Sequence, residues 1–190
     1  MKLLLIRHGM TQGNLEKRYI GRTDEPLCAE GRTVLQKQTA VPCSRVFASP
    51  MKRCLETAEI LYPGQEPVVC QDLRERDFGA YEGKNYKELS KDARYQAWID
   101  SNGALPFPEG EDQAAFEARS CGAFWKLVDS CREEEVLAFL VHGGTIMALL
   151  AAYGEPGHSM YDYQVKNGSG YLISCSRKER RLRILQKLGD

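Results

Sequence analysis

Two uninterrupted apolar runs stand out along the chain, LLLI at 3–6 and VLAFLV at 136–141. Runs of this length without polar alternation read as strands buried on both faces, the pattern of a parallel sheet. Shorter apolar stretches at 45–48 and 68–70 read as two more strands. The tail over 170–188 reads as an antiparallel hairpin with a basic turn at 177–181. Helical patterns lie between these runs: near 30–38, from Ser49-Pro50 to about 61, from Asp112 to about 131, and over 145–153. Ser49 suits an N-cap and Pro50 the first helical position, while Tyr62-Pro63-Gly64 stops that helix. Residues 72–110 are polar and rich in aromatics, with short helices at 86–90 and 93–101. Strands interleaved with helices predict an α/β fold. The expected architecture is a three-layer αβα arrangement on a mostly parallel sheet. It forms one domain over 1–190, with a small helical lobe inserted at about 80–110 to cover the site.

Composition narrows the function. Hydrophobic residues make up 43% of the chain, enough for a sizeable core, and 26 Lys plus Arg balance 26 Asp plus Glu. A zero formal charge argues against binding nucleic acid through bulk positive charge. No stretch reaches transmembrane length, and the first apolar run is too short for a signal sequence. The seven cysteines form no CxxC pair, so they read as reduced thiols of a cytoplasmic protein.

The chemistry gathers at strand ends, where α/β folds bind their ligands. The first strand runs into Arg7-His8-Gly9. The second is followed by Ser49-Pro50-Met51-Lys52-Arg53, which puts Arg53 in the first turn of a helix. The run at 136–141 ends in His142-Gly143-Gly144-Thr145. Taken singly, Arg7 fits a buried ion pair, His142 a satisfied core histidine and Arg53 a solvated helix face. Taken together, two guanidiniums, two imidazoles and free backbone N–H groups form a set suited to a phosphate. A catalytic metal fits poorly. The three histidines show no H-x-H or H-E-x-x-H spacing, and flanking arginines repel a divalent cation.

These residues also carry a resemblance. RHGMTQGN at 7–14, RYIGRTDEPLCAEG at 18–31, SPMKRCLETA at 49–58, DLRERDFGAYEG at 72–83, PEGEDQAAFEAR at 108–119 and VHGGT at 141–145 together resemble the ordered motifs of the histidine phosphatase (phosphoglycerate mutase-like) superfamily. The resemblance implies an enzyme without metal or cofactor. His8 is the expected nucleophile, forming a phosphohistidine. Arg7, Arg53 and His142 clamp the phosphoryl oxygens, and Asn14 and the Gly143 N–H add hydrogen bonds. Glu75 matches the proton donor, and Glu82 is its rival in the same segment. Gly21, Arg22 and Glu82 are expected to border the substrate. Ile20 replaces a polar residue that members often place there, Cys28 replaces the Thr or Ser of the PLT motif, and Asp112 replaces the Ser of GES.

The expected activity is hydrolysis of a small phosphorylated metabolite. RYIGRTDEPL at 18–27 is similar to the α-ribazole phosphatase branch, which acts in cobalamin synthesis, making α-ribazole 5'-phosphate a candidate ester. The alternatives are a broad-specificity or sugar-phosphate phosphatase, a cofactor-dependent phosphoglycerate mutase, and a non-catalytic binder of phosphorylated ligands. Oligomeric state is not legible in the sequence.

Overall fold

The computed structural model describes residues 1–101, 103 and 105–189; Asn102 and Ala104, inside the anticipated lobe, and Asp190 lie outside the described residues. The elements in order are β1 (Lys2–Arg7), α1 (Gln12–Leu15), α2 (Ala29–Gln36), β2 (Arg45–Ala48), α3 (Lys52–Leu61), β3 (Val68–Val69), α4 (Tyr86–Leu89), α5 (Ala93–Asp100), α6 (Gln113–Asp129), β4 (Val136–Val141), α7 (Gly143–Tyr153), β5 (Gly170–Ser176) and β6 (Arg181–Leu188). Three 3-10 turns, at Gln71–Leu73, Gly79–Tyr81 and Met160–Tyr163, join them.

One six-stranded sheet in the order β3-β2-β4-β1-β5-β6 forms the middle layer. The first four strands in that order are parallel and the terminal hairpin is antiparallel. Residues along β1 alternate between the two faces, as the pleat requires. Leu3 and Leu5 join a core with Phe124 and Val128 of α6 and Ile146 and Leu149 of α7. Leu4 and Ile6 join a second core with Leu35 of α2 and Cys54, Ala58 and Leu61 of α3. Both faces are covered, which explains the unbroken apolar runs. The αβα expectation therefore holds.

The lobe has a small aromatic core of its own. Tyr81, Leu89, Tyr95 and Phe107 are buried there, with Tyr19, Phe78 and Trp98 packed against them. It is stitched to the loop before α2 by Tyr19 N–H to the Lys84 carbonyl and Gly83 N–H to the Tyr19 carbonyl, at 2.9 and 2.8 Å.

Helix starts supply one agreement and one correction. Asp112 caps α6, accepting from Ala114 and Ala115 N–H at 2.9 and 3.1 Å. Ser49 and Pro50, expected to open α3, lie outside it: α3 begins at Lys52 and its N-cap, Met51, makes no side-chain capping bond. The Ser49 hydroxyl is engaged across the sheet instead, as described below. Cys28, the departure from Ser or Thr, still caps α2, its Sγ accepting from Gly31 N–H at 3.3 Å.

Candidate active site

Sheet register brings the two histidines together. β1 and β4 are adjacent and parallel, with Arg7 opposite Val141. His8 and His142 are the next residues on each strand, so they leave the sheet side by side. Their rings meet edge to face with centroids 5.3 Å apart, and both are buried. β2 flanks β4 with Ala48 opposite Leu140, which carries Ser49 and the start of α3 to the same edge.

The His8 ring is oriented by its own backbone. Its Nδ1–H donates to the Gly9 carbonyl at 2.7 Å. A carbonyl can only accept, so the Nε2 of the neutral ring keeps its lone pair. Burial first, then the positive charges of Arg53 and Arg7, holds the His8 pKa well below the usual histidine range. The Gly9 contact opposes that shift and is outweighed. His142 is held low in the same way, by burial and then by Arg53.

The two arginines are anchored at one end and open at the other. Arg7 Nη1 donates to the Val165 carbonyl at 2.8 Å. Arg53, fully buried, donates from Nη1 to the Thr23 carbonyl at 2.8 Å and from Nη2 to the Gly21 carbonyl at 2.9 Å. The Nε–H of each is buried and makes no hydrogen bond among the described residues. Buried donors in folded proteins are nearly always paired, so these two N–H groups mark a place suited to an oxyanion. A Cβ added to Gly143 would lie 3.4 Å from Arg7 Nε, which puts the first turn of α7 beside that guanidinium.

Glu75 reaches this place from the segment after the first 3-10 turn. Its Oε1 accepts from Arg76 N–H at 2.9 Å, and a Cβ on Gly144 would lie only 2.6 Å from that oxygen. The glycine is needed for the carboxyl to approach α7. Burial raises the Glu75 pKa above the usual carboxylate value, against the opposing hydrogen bonds and the charges of Arg53 and Arg7. A carboxyl held toward its protonated form is suited to donate a proton.

The other candidates divide. Asn14 Oδ1 accepts from Thr11 N–H at 3.2 Å and from Asn167 Nδ2 at 2.9 Å, within the turn that follows His8. Glu82 Oε1 accepts from Gly21 N–H at 2.8 Å and Thr23 N–H at 2.9 Å. Glu82 thus fixes the loop whose carbonyls hold Arg53, and the Gly21 N–H is already committed to it. Arg22 is 62% exposed and paired with Asp77 at 3.3 Å.

Three residues in the surrounding shell are absent from the motif reading. Thr57 Oγ1 accepts from Gly9 N–H at 2.9 Å and donates to the Arg53 carbonyl at 2.6 Å. Asn167 donates to the His8 carbonyl at 3.2 Å. Ser49 Oγ lies 2.7 Å from His142 Nε2. Ser49 and Thr57 sit within SPMKRCLETA, so the motif held the signal; Asn167 has only its place before the terminal hairpin.

Comparison with known proteins gives the family. The family described as "Histidine phosphatase superfamily (branch 1)" matches residues 3–187. An adenosylcobalamin/alpha-ribazole phosphatase of Escherichia coli K12 is 31% identical over 195 residues, covering 97% of this chain and 95% of that protein. A broad-specificity phosphatase of Saccharomyces cerevisiae is 29% identical over 209 residues, covering 100% and 88%. A solved structure described as a phosphoglycerate mutase from Thermus thermophilus has a TM-score of 0.75 at 33% identity, covering 99% of this chain and 98% of that one. The chain belongs to branch 1 of the histidine phosphatase superfamily and is an enzyme with phosphatase activity.

Proposed function

We propose that the protein hydrolyses a small phosphomonoester in two steps, without a metal, through a phosphohistidine at His8, and that the ester is α-ribazole 5'-phosphate. The observation that carries the mechanism is the His8 ring. Its Nδ1–H is bound to Gly9, its Nε2 lone pair is free, and burial and two arginines keep it neutral.

In the first step Nε2 attacks phosphorus and the ester P–O bond breaks. Arg7, Arg53, His142 and the Gly143 N–H stabilise the equatorial oxygens, and Asn14 supports them. Glu75 gives its proton to the leaving alkoxide. In the second step Glu75, now ionised, takes a proton from water as the water oxygen attacks phosphorus, releasing inorganic phosphate and restoring His8. The charge around the site suits a dianionic ester and repels a divalent cation. One catalytic domain spans 1–190, and the lobe at about 80–110 borders the leaving group together with Gly21, Arg22 and Glu82. Among the described residues no helix is long and apolar enough to cross a membrane. The proposed setting is the cytoplasm.

The substrate reading rests on the RYIGRTDEPL segment and on the near full-length match to the Escherichia coli enzyme. The match to the yeast broad-specificity phosphatase favours a second reading, hydrolysis of many small esters with little preference. A panel of α-ribazole phosphate, sugar phosphates and 2- and 3-phosphoglycerate, assayed for released phosphate with chelator present, separates them. A kcat/KM for α-ribazole phosphate well above the rest supports the first reading. Comparable values across the panel support the second. Interconversion of the phosphoglycerates without phosphate release would overturn both. Loss of all turnover on chelation, restored by a divalent ion, would overturn the metal-free mechanism.

A further inference from the structure

Ser49 is fully buried at the end of β2 and caps no helix. Its Oγ lies 2.7 Å from His142 Nε2, and Met51 N–H points to the same oxygen at 3.4 Å. A hydroxyl has one proton to give and two lone pairs to receive with. Met51 can only donate, so it takes one lone pair; among the described residues the acceptors beside the Ser49 proton are His142 Nε2 and the Cys54 sulfur, and the imidazole nitrogen is much the better one, so the proton goes to the ring. His142 is the N-cap of α7 but makes no side-chain bond to that helix. Among the described residues the hydrogen-bond contact at Nδ1 is the Cys54 sulfur at 3.9 Å, and that sulfur lies 3.6 Å from Nε2. Burial pushes the Cys54 thiol up to about 12, so it stays uncharged, and its S–H is directed at the Val141 carbonyl. A thiol sulfur is a weak acceptor, so it contacts the ring and Ser49 without displacing the oxygen–nitrogen hydrogen bond at 2.7 Å.

A neutral imidazole carries its proton on one nitrogen or the other, and a partner on one side decides which. We propose that Ser49 is a positioning residue that donates to His142 Nε2, fixing His142 as the Nδ1–H tautomer and presenting that N–H to a phosphoryl oxygen. The two imidazoles are then prepared as opposites. His8 shows phosphorus a lone pair, and His142 shows the oxygens a proton. Without Ser49, the other tautomer aims a lone pair at phosphoryl oxygens and repels them. The kinetic consequence rests on the hydrolase reading; the tautomer itself does not.

The test uses the full chain with 15N-labelled histidine. Long-range 1H–15N correlation spectra are recorded at neutral pH for the unsubstituted protein, Ser49→Ala and Ser49→Thr, with the ring assigned by its disappearance in His142→Asn. The unsubstituted protein and Ser49→Thr should show the Nδ1–H pattern for His142, and Ser49→Ala a mixed or Nε2–H pattern. With p-nitrophenyl phosphate, Ser49→Ala should lose about 10- to 100-fold, mainly in kcat, while thermal unfolding still shows a folded protein, and Ser49→Thr should restore most of it. An Nε2–H pattern in the unsubstituted protein, or an Nδ1–H pattern that survives in Ser49→Ala, overturns the proposal whatever happens to the rate. If Thr cannot be accommodated and that variant fails to fold, the first two spectra still decide. An unsubstituted protein with no phosphatase turnover would overturn the hydrolase reading, while the spectra would still decide the role of Ser49.

Discussion

His8 and His142 stand one residue beyond two adjacent parallel strands, whereas Glu75 and Arg53 are placed by loops and helix turns that no ladder supports. The strand pair is registered from Lys2–Val136 to Arg7–Val141, and His8 N–H continues it by donating to the Val141 carbonyl at 2.9 Å. Moving either imidazole means breaking sheet. On the other wall, positions depend on side chains holding backbone. Arg119 donates to the carbonyls of Asp72 and Arg74, at 2.6 and 3.1 Å, on the segment that carries Glu75. Arg76 holds the far side through the Glu111 carbonyl at 2.9 Å and through Gln113. Arg53 grips the loop at 20–23, and Glu82 pins that loop in place. In the proposed mechanism the two imidazoles at phosphorus are mounted on paired strands. Glu75, proposed for the leaving group, and the clamp Arg53 are mounted on contacts a single substitution can remove.

The largest effect should come from the strand wall. His8→Ala removes the proposed nucleophile and should lower kcat by about 10⁴-fold or more. Thermal unfolding should show a folded protein, because the ladder stays intact. Acid-quenched enzyme analysed under alkaline conditions should show phosphate on His8 in the unsubstituted protein and none in the variant. Turnover that survives in His8→Ala would move the nucleophile elsewhere and dissolve the contrast between the walls.

Glu75→Gln comes next and separates the two steps. With alkyl phosphates the loss should be about 10²–10⁴-fold, the range for a general acid–base group. With p-nitrophenyl phosphate the phenolate leaves unaided, so stopped-flow traces should show a burst of nitrophenolate followed by slow dephosphorylation. The pH dependence follows from the directions of the shifts. Glu75 must be protonated to start, and its pKa is raised by burial, so kcat/KM falls as pH rises through that raised value. His8 must be neutral and its pKa is lowered, so the acid limb lies well below 6.5. In Glu75→Gln the alkaline limb should vanish and the acid limb remain. The reverse outcome, with Glu82→Gln abolishing that limb, would hand the acid role to Glu82.

The strand wall was the more legible half in the sequence, for a physical reason. An apolar run that ends abruptly in Arg-His-Gly or His-Gly-Gly declares both the strand and what it delivers. Parallel strands then bring such ends to one edge whatever their order in the chain. The lobe wall was legible only through motif resemblance, because Glu75 and Glu82 look alike as surface carboxylates. Their difference lies in what surrounds them: Glu75 faces α7 at Gly144, and Glu82 faces the N–H groups of Gly21 and Thr23. Ser49 shows the limit of local rules. Ser-Pro before an amphipathic stretch is a sound helix-start signal, but the hydroxyl found a tertiary partner 93 residues away. The four-residue helix α1, closed by a capping box between Thr11 and Asn14, is too short to carry an apolar periodicity that a sequence pattern can show.

Glu82→Ala tests whether the lobe wall acts through Arg53. Removing the carboxylate leaves the Gly21 and Thr23 N–H groups without their acceptor and should cost about 1–3 kcal/mol of stability, read by chemical denaturation. Activity should fall about 10- to 100-fold through displacement of the loop that Arg53 grips. Unlike Glu75→Gln, the loss should be equal for p-nitrophenyl and alkyl phosphates. A leaving-group-dependent loss would mean that Glu82 handles protons after all.

Arg22→Ala should have the smallest effect and probes how far the lobe wall extends. The pair with Asp77 is exposed on both sides, 62% and 36%, and such surface pairs contribute about 0–1 kcal/mol. Stability should therefore change by no more than about 0.5 kcal/mol. The kcat should be unchanged, since the guanidinium is committed to an exposed pair with Asp77. If the side chain borders a bulky leaving group, KM for such an ester should rise by about threefold, the equivalent of one weak polar contact, while KM for p-nitrophenyl phosphate stays constant. An equal change for both esters would remove Arg22 from substrate selection. The wall would then end at the loop carbonyls of 20–23, leaving the choice of ester to the lobe's aromatic residues.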